Sequence, residues 1–395
     1  MAATLILCCF SASAFAASDS SDGRLEFSGG SFKILAISDT QDDMYPSPDM
    51  INLLTEAIKK ESPDLIVFTG DLVEDSRALD FFSDSQFGKE GVTVKNSSGE
   101  IDHDKTLANV EIAADKVLSV FEKFGVPYAI AQGNNDHKCG ITNEDWLEIY
   151  SRYPGCLVFD ESEDADGRID YHLEIKGSDG SDKFNLWMMD SGRGGVSEES
   201  LEWYRAKSTE LTEANGGEPV PAFAFQHIQA PDVGNLFEEC SFYDEGARSA
   251  NGKSYRLNRD VAKGKSFYAW TPCEPSDEFT AWKEQGDVIG AYFGHQHVEG
   301  FTGTVDGIEL GFIYGCEFTK VGPYGYRVFT LSEDNVTDYE NVVYQYKGSV
   351  KFNNWKFEQE EYAPYREYSN IFEKIIFGAY NTFGSIVSAI IGIFA

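Results

Sequence analysis

The chain has 395 residues, 42% of them hydrophobic and 14% aromatic, with 32 Lys and Arg against 66 Asp and Glu for a formal charge of −34. That balance excludes wholesale disorder and low-complexity filaments and leaves room for one large domain or two small ones. A surface this acidic repels phosphate backbones, so nucleic-acid binding is not expected.

Residues 1–17 hold the apolar run Leu5 to Phe10 and then Ala14-Phe15-Ala16, a small-residue pattern of the kind that precedes signal cleavage. Export to a secreted or extracytoplasmic location is therefore expected, although the segment has no basic start. The exported chain keeps Cys139, Cys156, Cys240, Cys273 and Cys316. In an oxidising compartment, neighbours in sequence suggest Cys139–Cys156 and Cys240–Cys273 bridges with one thiol left over.

A strand over Phe32–Ile37 leads to a helix over Met50–Lys60, where Ile51, Leu54, Ala57 and Ile58 fall at helical spacing. The unit repeats, with a strand at Leu65–Phe68, a helix at Leu107–Phe124 and a strand at Tyr128–Ala131. Beyond Cys156 the pattern is mostly strands, at Tyr171–Ile175, Phe184–Met189, Ala222–Gln226, Val288–Phe293, Gly307–Ile313 and Tyr326–Leu331, with a helix near Ser197–Ala214. This predicts an α/β fold, a four-layer α-β-β-α sandwich of two mixed sheets, in one domain over residues 24–345. Polar stretches at Asp75–Asp104 and Asp232–Pro275 read as surface insertions near a pocket. Residues 346–370 read as a polar and aromatic connector. The 21 uncharged residues Ile375 to Ala395 would make a helix of about 31 Å, which either spans a bilayer, lies on one, or docks on the domain.

Five strands run directly into polar residues able to hold a metal: Ser38-Asp39-Thr40-Gln41, Thr69-Gly70-Asp71, Gln132-Gly133-Asn134-Asn135-Asp136, Gln226-His227 and Gly294-His295-Gln296-His297. Each alone reads as a turn, a cap or a packed core residue. Strand ends of an α/β sheet converge at one edge, however, so five can meet, and His295 with His297 suits chelation at a strand exit.

In these motifs the chain resembles the calcineurin-like metallophosphoesterases over about residues 31 to 332. Met189-Asp190-Ser191-Gly192 with Leu201 and Trp203, and Tyr326-Arg327-Val328-Phe329, are similar to the single-domain purple-acid-phosphatase-like branch. The resemblance implies two metal ions, iron, manganese or zinc. Asp39, Asp71 and His297 would hold one, and Asp71, Asn134, His227 and His295 the other, with Asp71 bridging. It implies hydrolysis of a small phosphorylated substrate by attack of a hydroxide generated at the metals, on a phosphomonoester or, alternatively, a phosphodiester.

Three positions depart from the family pattern. Gln41 stands where Asp-x-His has its histidine and would be a weaker, neutral ligand. Asn135 stands where Gly-Asn-His-Asp has its histidine; it can donate to a phosphate oxygen but cannot protonate a leaving group, a loss of about 10² to 10⁴ in rate. Glu74 stands where purple acid phosphatases carry a tyrosine ligand, and either binds the first metal or faces solvent. His137 is the candidate replacement acid beside Asn135 and Asp136, and Arg193 joins Asn135 as a candidate phosphate ligand. These departures motivate a rival reading, a catalytically impaired metal-binding or scaffold protein at the cell surface.

Overall fold

Apolar side chains alternate along the central strands, and that alternation sets the layers. Phe223 and Phe225 of the strand Ala222–Gln226, with Leu186 and Met188 of Asp182–Met189 and Tyr292 of Val288–Phe293, enter one core. Ala222, Ala224, Trp187, Met189, Ala291 and Phe293 enter a second core on the opposite face. A sheet buried on both faces needs cover on both, which a second sheet and a helical layer provide. The computed structural model describes residues 25–76, 91–162, 167–250, 252–267, 275–318, 322–362, 364–365, 375 and 378–379.

One sheet runs in the order Lys356–Gln359, Asn335–Lys347, Tyr324–Ser332, Ser31–Ile37, Leu65–Phe68, Tyr128–Ile130. The other runs Leu25–Glu26, Tyr171–Lys176, Asp182–Met189, Ala222–Gln226, Val288–Phe293, Ile308–Phe312, Thr302–Val305, Ala262–Lys263. Each is mixed: the first is parallel from Ser31–Ile37 to its edge strand Tyr128–Ile130, and the second is parallel at its centre. Helices Pro48–Glu61 and His103–Phe124 bury Leu53, Leu54, Val110, Val117 and Phe121 against the first sheet. Helices Glu198–Ala214 and Glu278–Gln285 bury Leu201, Tyr204, Phe279 and Trp282 in the second core. The result is an α/β fold of two mixed sheets between helical layers, as the strand and helix periods predict.

Two expectations are corrected. Cys139, Cys156, Cys240 and Cys316 are free thiols, so the Cys139–Cys156 bridge is absent and Cys240 carries none; Cys273 lies outside the described residues. The helix Asn143–Tyr150 separates Cys139 from Cys156, and Cys139 Sγ instead donates to Asp136 O at 2.9 Å. Burial pushes the thiols of Cys139, Cys156 and Cys316 up to about 12, which keeps them protonated. The expected connector also enters the fold: Lys356–Gln359 pairs with Asn335–Lys347 and extends the first sheet at its edge. The signal-like residues 1–17 and nearly all of 371–395 lie outside the described residues, and among the described ones no helix is long and apolar enough to cross a membrane.

Candidate metal centre

The parallel strands of both sheets deliver their C-terminal ends to one seam. From the first sheet come Asp39, Asp71 and Asn134; from the second come His227, His295 and His297. Leaving the strands this abruptly takes unusual backbone. Of the seven non-glycine residues with positive φ among the described ones, four belong here: Asp39 (50°), Gln41 (32°), Asp71 (59°) and His295 (66°). Each such residue costs roughly 1–2 kcal/mol, so the surrounding fold enforces the geometry. Gly294 and Gly133 permit the close approach. A Cβ on Gly294 would stand 2.0 Å from Ser38 Oγ, and one on Gly133 2.1 Å from Asp71 N.

Two groups of ligand atoms form, each within 4.8 Å: Asp71, His227 and His295, and Asp39, Asp71 and His297. Asp71 belongs to both. His227 Nε2 lies 3.2 Å from Asp71 Oδ2, and His297 Nε2 lies 3.3 Å from Asp39 Oδ1. The His227 ring is fixed from behind by Thr69 O, 2.8 Å from Nδ1. Asp39 also accepts from Ser38 Oγ at 2.5 Å and from His295 N–H at 3.2 Å, and Asp71 accepts from Asn135 N–H at 2.8 Å.

The charges of this buried cluster are strongly displaced. Burial raises the Asp39 carboxyl, against the pull of His297 and His227. Burial opposes ionisation of Asp71 too, but His227 and the Asn135 N–H win and hold it well below the ordinary value. Burial would neutralise His227, yet Asp71 and Asp39 push it up to about 9. Burial and the neighbouring His227 charge drive His295 down to about 3. Two carboxylates, three imidazoles and the Asn134 amide, converging with few donors, fit divalent or trivalent cations of the iron, manganese and zinc kind. The residues present thus fit a pair of metals.

The other sequence-derived residues fall around this cluster. Gln41 reaches it with its amide nitrogen, donating to Asp71 Oδ2 at 3.1 Å. Glu74 is buried on the loop after Asp71 but belongs to neither ligand group. Asn135 flanks Asp71. Asp136 does not face the cluster as a free acid: its carboxylate accepts from the N–H groups of Asp71, Leu72, Val73 and Gly133 at 2.9–3.3 Å, clamping the two metal-binding loops together. Burial and the adjacent Asp71 charge raise it to about 7. His137 Nε2 lies 2.7 Å from buried Asp190 Oδ1, and Asp190 raises the His137 pKa against the effect of burial. Arg193 is exposed and donates to His137 O at 2.6 Å, so it borders the site through His137. In the 232–275 insertion, Phe237 packs on Phe301 with centroids 5.5 Å apart, against the second core.

Sequence reasoning missed Glu317. It is buried after the strand Ile308–Phe312, and its Oε2 lies 2.9 Å from His297 Nδ1, behind the ring nitrogen that faces Asp39. The available signal was the familiar one, an apolar strand running into Gly315-Cys316-Glu317.

The fold and this shared carboxylate centre define a phosphoesterase architecture, and comparison with known proteins agrees. The model of the family "Calcineurin-like phosphoesterase" matches residues 32–299, and the chain belongs to that family. It is similar to two Arabidopsis thaliana proteins, probable inactive purple acid phosphatase 14 (25% identical over 370 residues, 82% of this chain and 80% of the relative) and probable inactive purple acid phosphatase 28 (24% over 347 residues, 76% and 72%). Among solved structures, a dimetal phosphatase from Danio rerio is 14% identical with TM-score 0.48, covering 80% of this chain and 95% of that one.

Proposed function

We propose that the protein is an exported phosphoesterase acting on small phosphomonoesters at a two-metal centre. The observation that carries this is the sharing of Asp71 between the two ligand groups. Asp39, Asp71 and His297 would hold one ion, and Asp71, Asn134, His227 and His295 the other. Bound there, a metal pair supplies a nucleophile from water at neutral pH and neutralises phosphoryl charge.

The chain's own residues supply the rest. Asp136 sets the distance between the Asp71 and Asn134 loops. Asn135 offers an amide donor to a phosphate oxygen. His137, oriented by Asp190, is the available acid, and Arg193 adds positive charge at its edge. Export rests on the composition of residues 1–17, and membrane contact on that of 371–395.

A second reading, an impaired metal-binding or scaffold protein, is favoured by Gln41. It turns a hydrogen-bond donor toward Asp71 where the family pattern has an imidazole, and the Arabidopsis relatives are themselves named probable inactive. Metal analysis together with hydrolysis of p-nitrophenyl phosphate separates the readings. Two metals per chain and turnover abolished by His295→Ala support the enzyme; a metal-free, inactive protein refutes it, and a metal-loaded inactive one establishes the second reading.

A further inference from the structure

Two asparagines open Asn-x-Ser/Thr sequences that the metal centre does not use, Asn96-Ser97-Ser98 and Asn335-Val336-Thr337. Both asparagines are exposed. Such sequences accept N-linked glycans in chains that enter a glycosylating secretory compartment.

The fold treats the two differently. The Asn96 amide is engaged at both ends: Oδ1 accepts from the N–H groups of Ser98 and Glu100 at 2.9 and 3.0 Å, and Nδ2 donates to Glu100 Oε2 at 3.2 Å. Asn335 begins the strand Asn335–Lys347, directly after the turn at Glu333-Asp334. Residues two apart in a strand share a face, so Thr337 stands beside it, and the Thr337 hydroxyl donates to Asn335 Oδ1 at 2.8 Å. Asn335 Nδ2 has no hydrogen-bond partner among the described residues. The turn is anchored elsewhere: Glu333 N–H donates to Gly30 O at 2.9 Å, and Glu333 Oε1 accepts from Ser178 Oγ at 2.7 Å. A substituent on Asn335 Nδ2 therefore disturbs none of these contacts.

Position adds a second observation. Ser332, opposite Asn335, pairs with Ser31, the first residue of the strand that runs on to Asp39. The turn thus lies at the end of the sheet remote from the metal centre, about 25 Å away at the rise of a strand. On the outer side, Lys356–Gln359 pairs only with Tyr344–Lys347, so among the described residues no strand pairs with the outer side of 335–342. An open strand edge is a template for pairing with another chain. A bulky, hydrated group at its first residue blocks that approach.

Resting on the export reading above, we propose that Asn335 carries an N-linked glycan that covers the open edge of 335–342. The donor is a lipid-diphosphate-linked oligosaccharide. Asn335 Nδ2 forms a bond to the anomeric carbon, the bond from that carbon to the lipid diphosphate breaks, the diphosphate leaves with the bonding pair, and Nδ2 gives up one proton to the transferase's base. Asn335 Oδ1 remains an acceptor, so the Thr337 hydroxyl keeps its bond.

The test translates the full chain, with its own first residues, in the presence of eukaryotic microsomal membranes, as wild type, Asn335→Gln and Asn96→Gln. Protection from added protease reports entry into the lumen, and loss of mass on treatment with peptide N-glycosidase reports the glycan. The protected wild type should carry a glycan that Asn335→Gln lacks and Asn96→Gln keeps. A protected Asn335→Gln with the same glycan mass as the wild type, or a protected wild type with none, would overturn the site while leaving export standing. A wild type open to protease would overturn the export reading, and this inference with it. Purified Asn335→Gln should self-associate at lower protein concentration than the glycosylated wild type in light scattering; equal behaviour would overturn the covering of the edge.

Discussion

Replacing Glu317 by glutamine should weaken cation binding at the Asp39, Asp71 and His297 group about tenfold without unfolding the protein. A carboxylate on the far nitrogen of a ligating imidazole fixes the ring's tautomer and raises its basicity, and removing such a group typically costs 10–100-fold in metal affinity. Here Glu317 Oε2 stands 2.9 Å from His297 Nδ1, with the Glu317 side chain 0% exposed, so solvent does not screen the pair. Glutamine keeps the size but removes the charge, which places the loss at the lower end, about 1.4 kcal/mol. Alanine would also leave a cavity behind the ring, moving the loss toward a hundredfold. The assay is calorimetric titration of Mn²⁺ in a His227→Ala background, which leaves the Asp39 group to be read alone, with a thermal melt of each protein beside it. Unchanged affinity in Glu317→Gln, with an unchanged melt, would refute the argument that this carboxylate prepares His297 for a cation.

Gly294→Ala should abolish ordered metal uptake and cost about 1–3 kcal/mol of stability, since its Cβ would stand 2.0 Å from Ser38 Oγ and 2.9 Å from Asp39 Oδ2; metal analysis and urea denaturation measure both. Glu278 is buried beneath His227's strand and accepts from Gln226 Nε2 at 2.8 Å; burial pushes its pKa up to about 8 from 4.5. The folded state therefore holds this proton more tightly than the unfolded one, so stability from it is full below about pH 4.5 and is lost as pH rises through 8. Between pH 6 and 9 the wild type should lose about 2–3 kcal/mol more than Glu278→Gln, measured by urea denaturation at each pH, and equal slopes would refute the assignment. Cys139, Cys156 and Cys316 should resist a thiol-specific disulfide reagent in the native protein and react after unfolding, because burial keeps them protonated; rapid native reaction of all three would contradict that.

The layers were legible in the sequence because their signals are local. The helical spacing of Leu54, Ala57 and Ile58 and the apolar runs at Leu65–Phe68 and Ala222–Gln226 appear in the structure almost residue for residue. The candidate metal ligands were legible because each follows a buried strand, and parallel strands must end at a common edge. What escaped was long-range. Glu317 is an unremarkable acid until the fold sets it against His297, twenty residues earlier. Asp136 is part of a legible motif, but its work as a clamp on four backbone N–H groups depends on a loop more than sixty residues away. The cysteine pairing failed for the same reason. Proximity in sequence suggested bridges, while the intervening helix and the local acceptor at Asp136 O decided against one.

The two sheets bring different kinds of side chain to the seam. The first sheet supplies the carboxylates Asp39 and Asp71, and the second supplies the imidazoles His227, His295 and His297. Carboxylates therefore face imidazoles across the two sheets. The Asp71–His227 contact at 3.2 Å and the Asp39–His297 contact at 3.3 Å are cross-sheet pairs in their own right. Such pairs, enclosed at 0–1% side-chain exposure for Asp71, His227 and Asp39, stay strong because little water screens them. Gln41 and Asn135, where the family pattern has imidazoles, leave this seam in place. The architecture is thus separable from the residues around the cluster: the cross-sheet pairs hold Asp39, Asp71, His227 and His297 together, and Gln41, Asn135 and His137 stand around them.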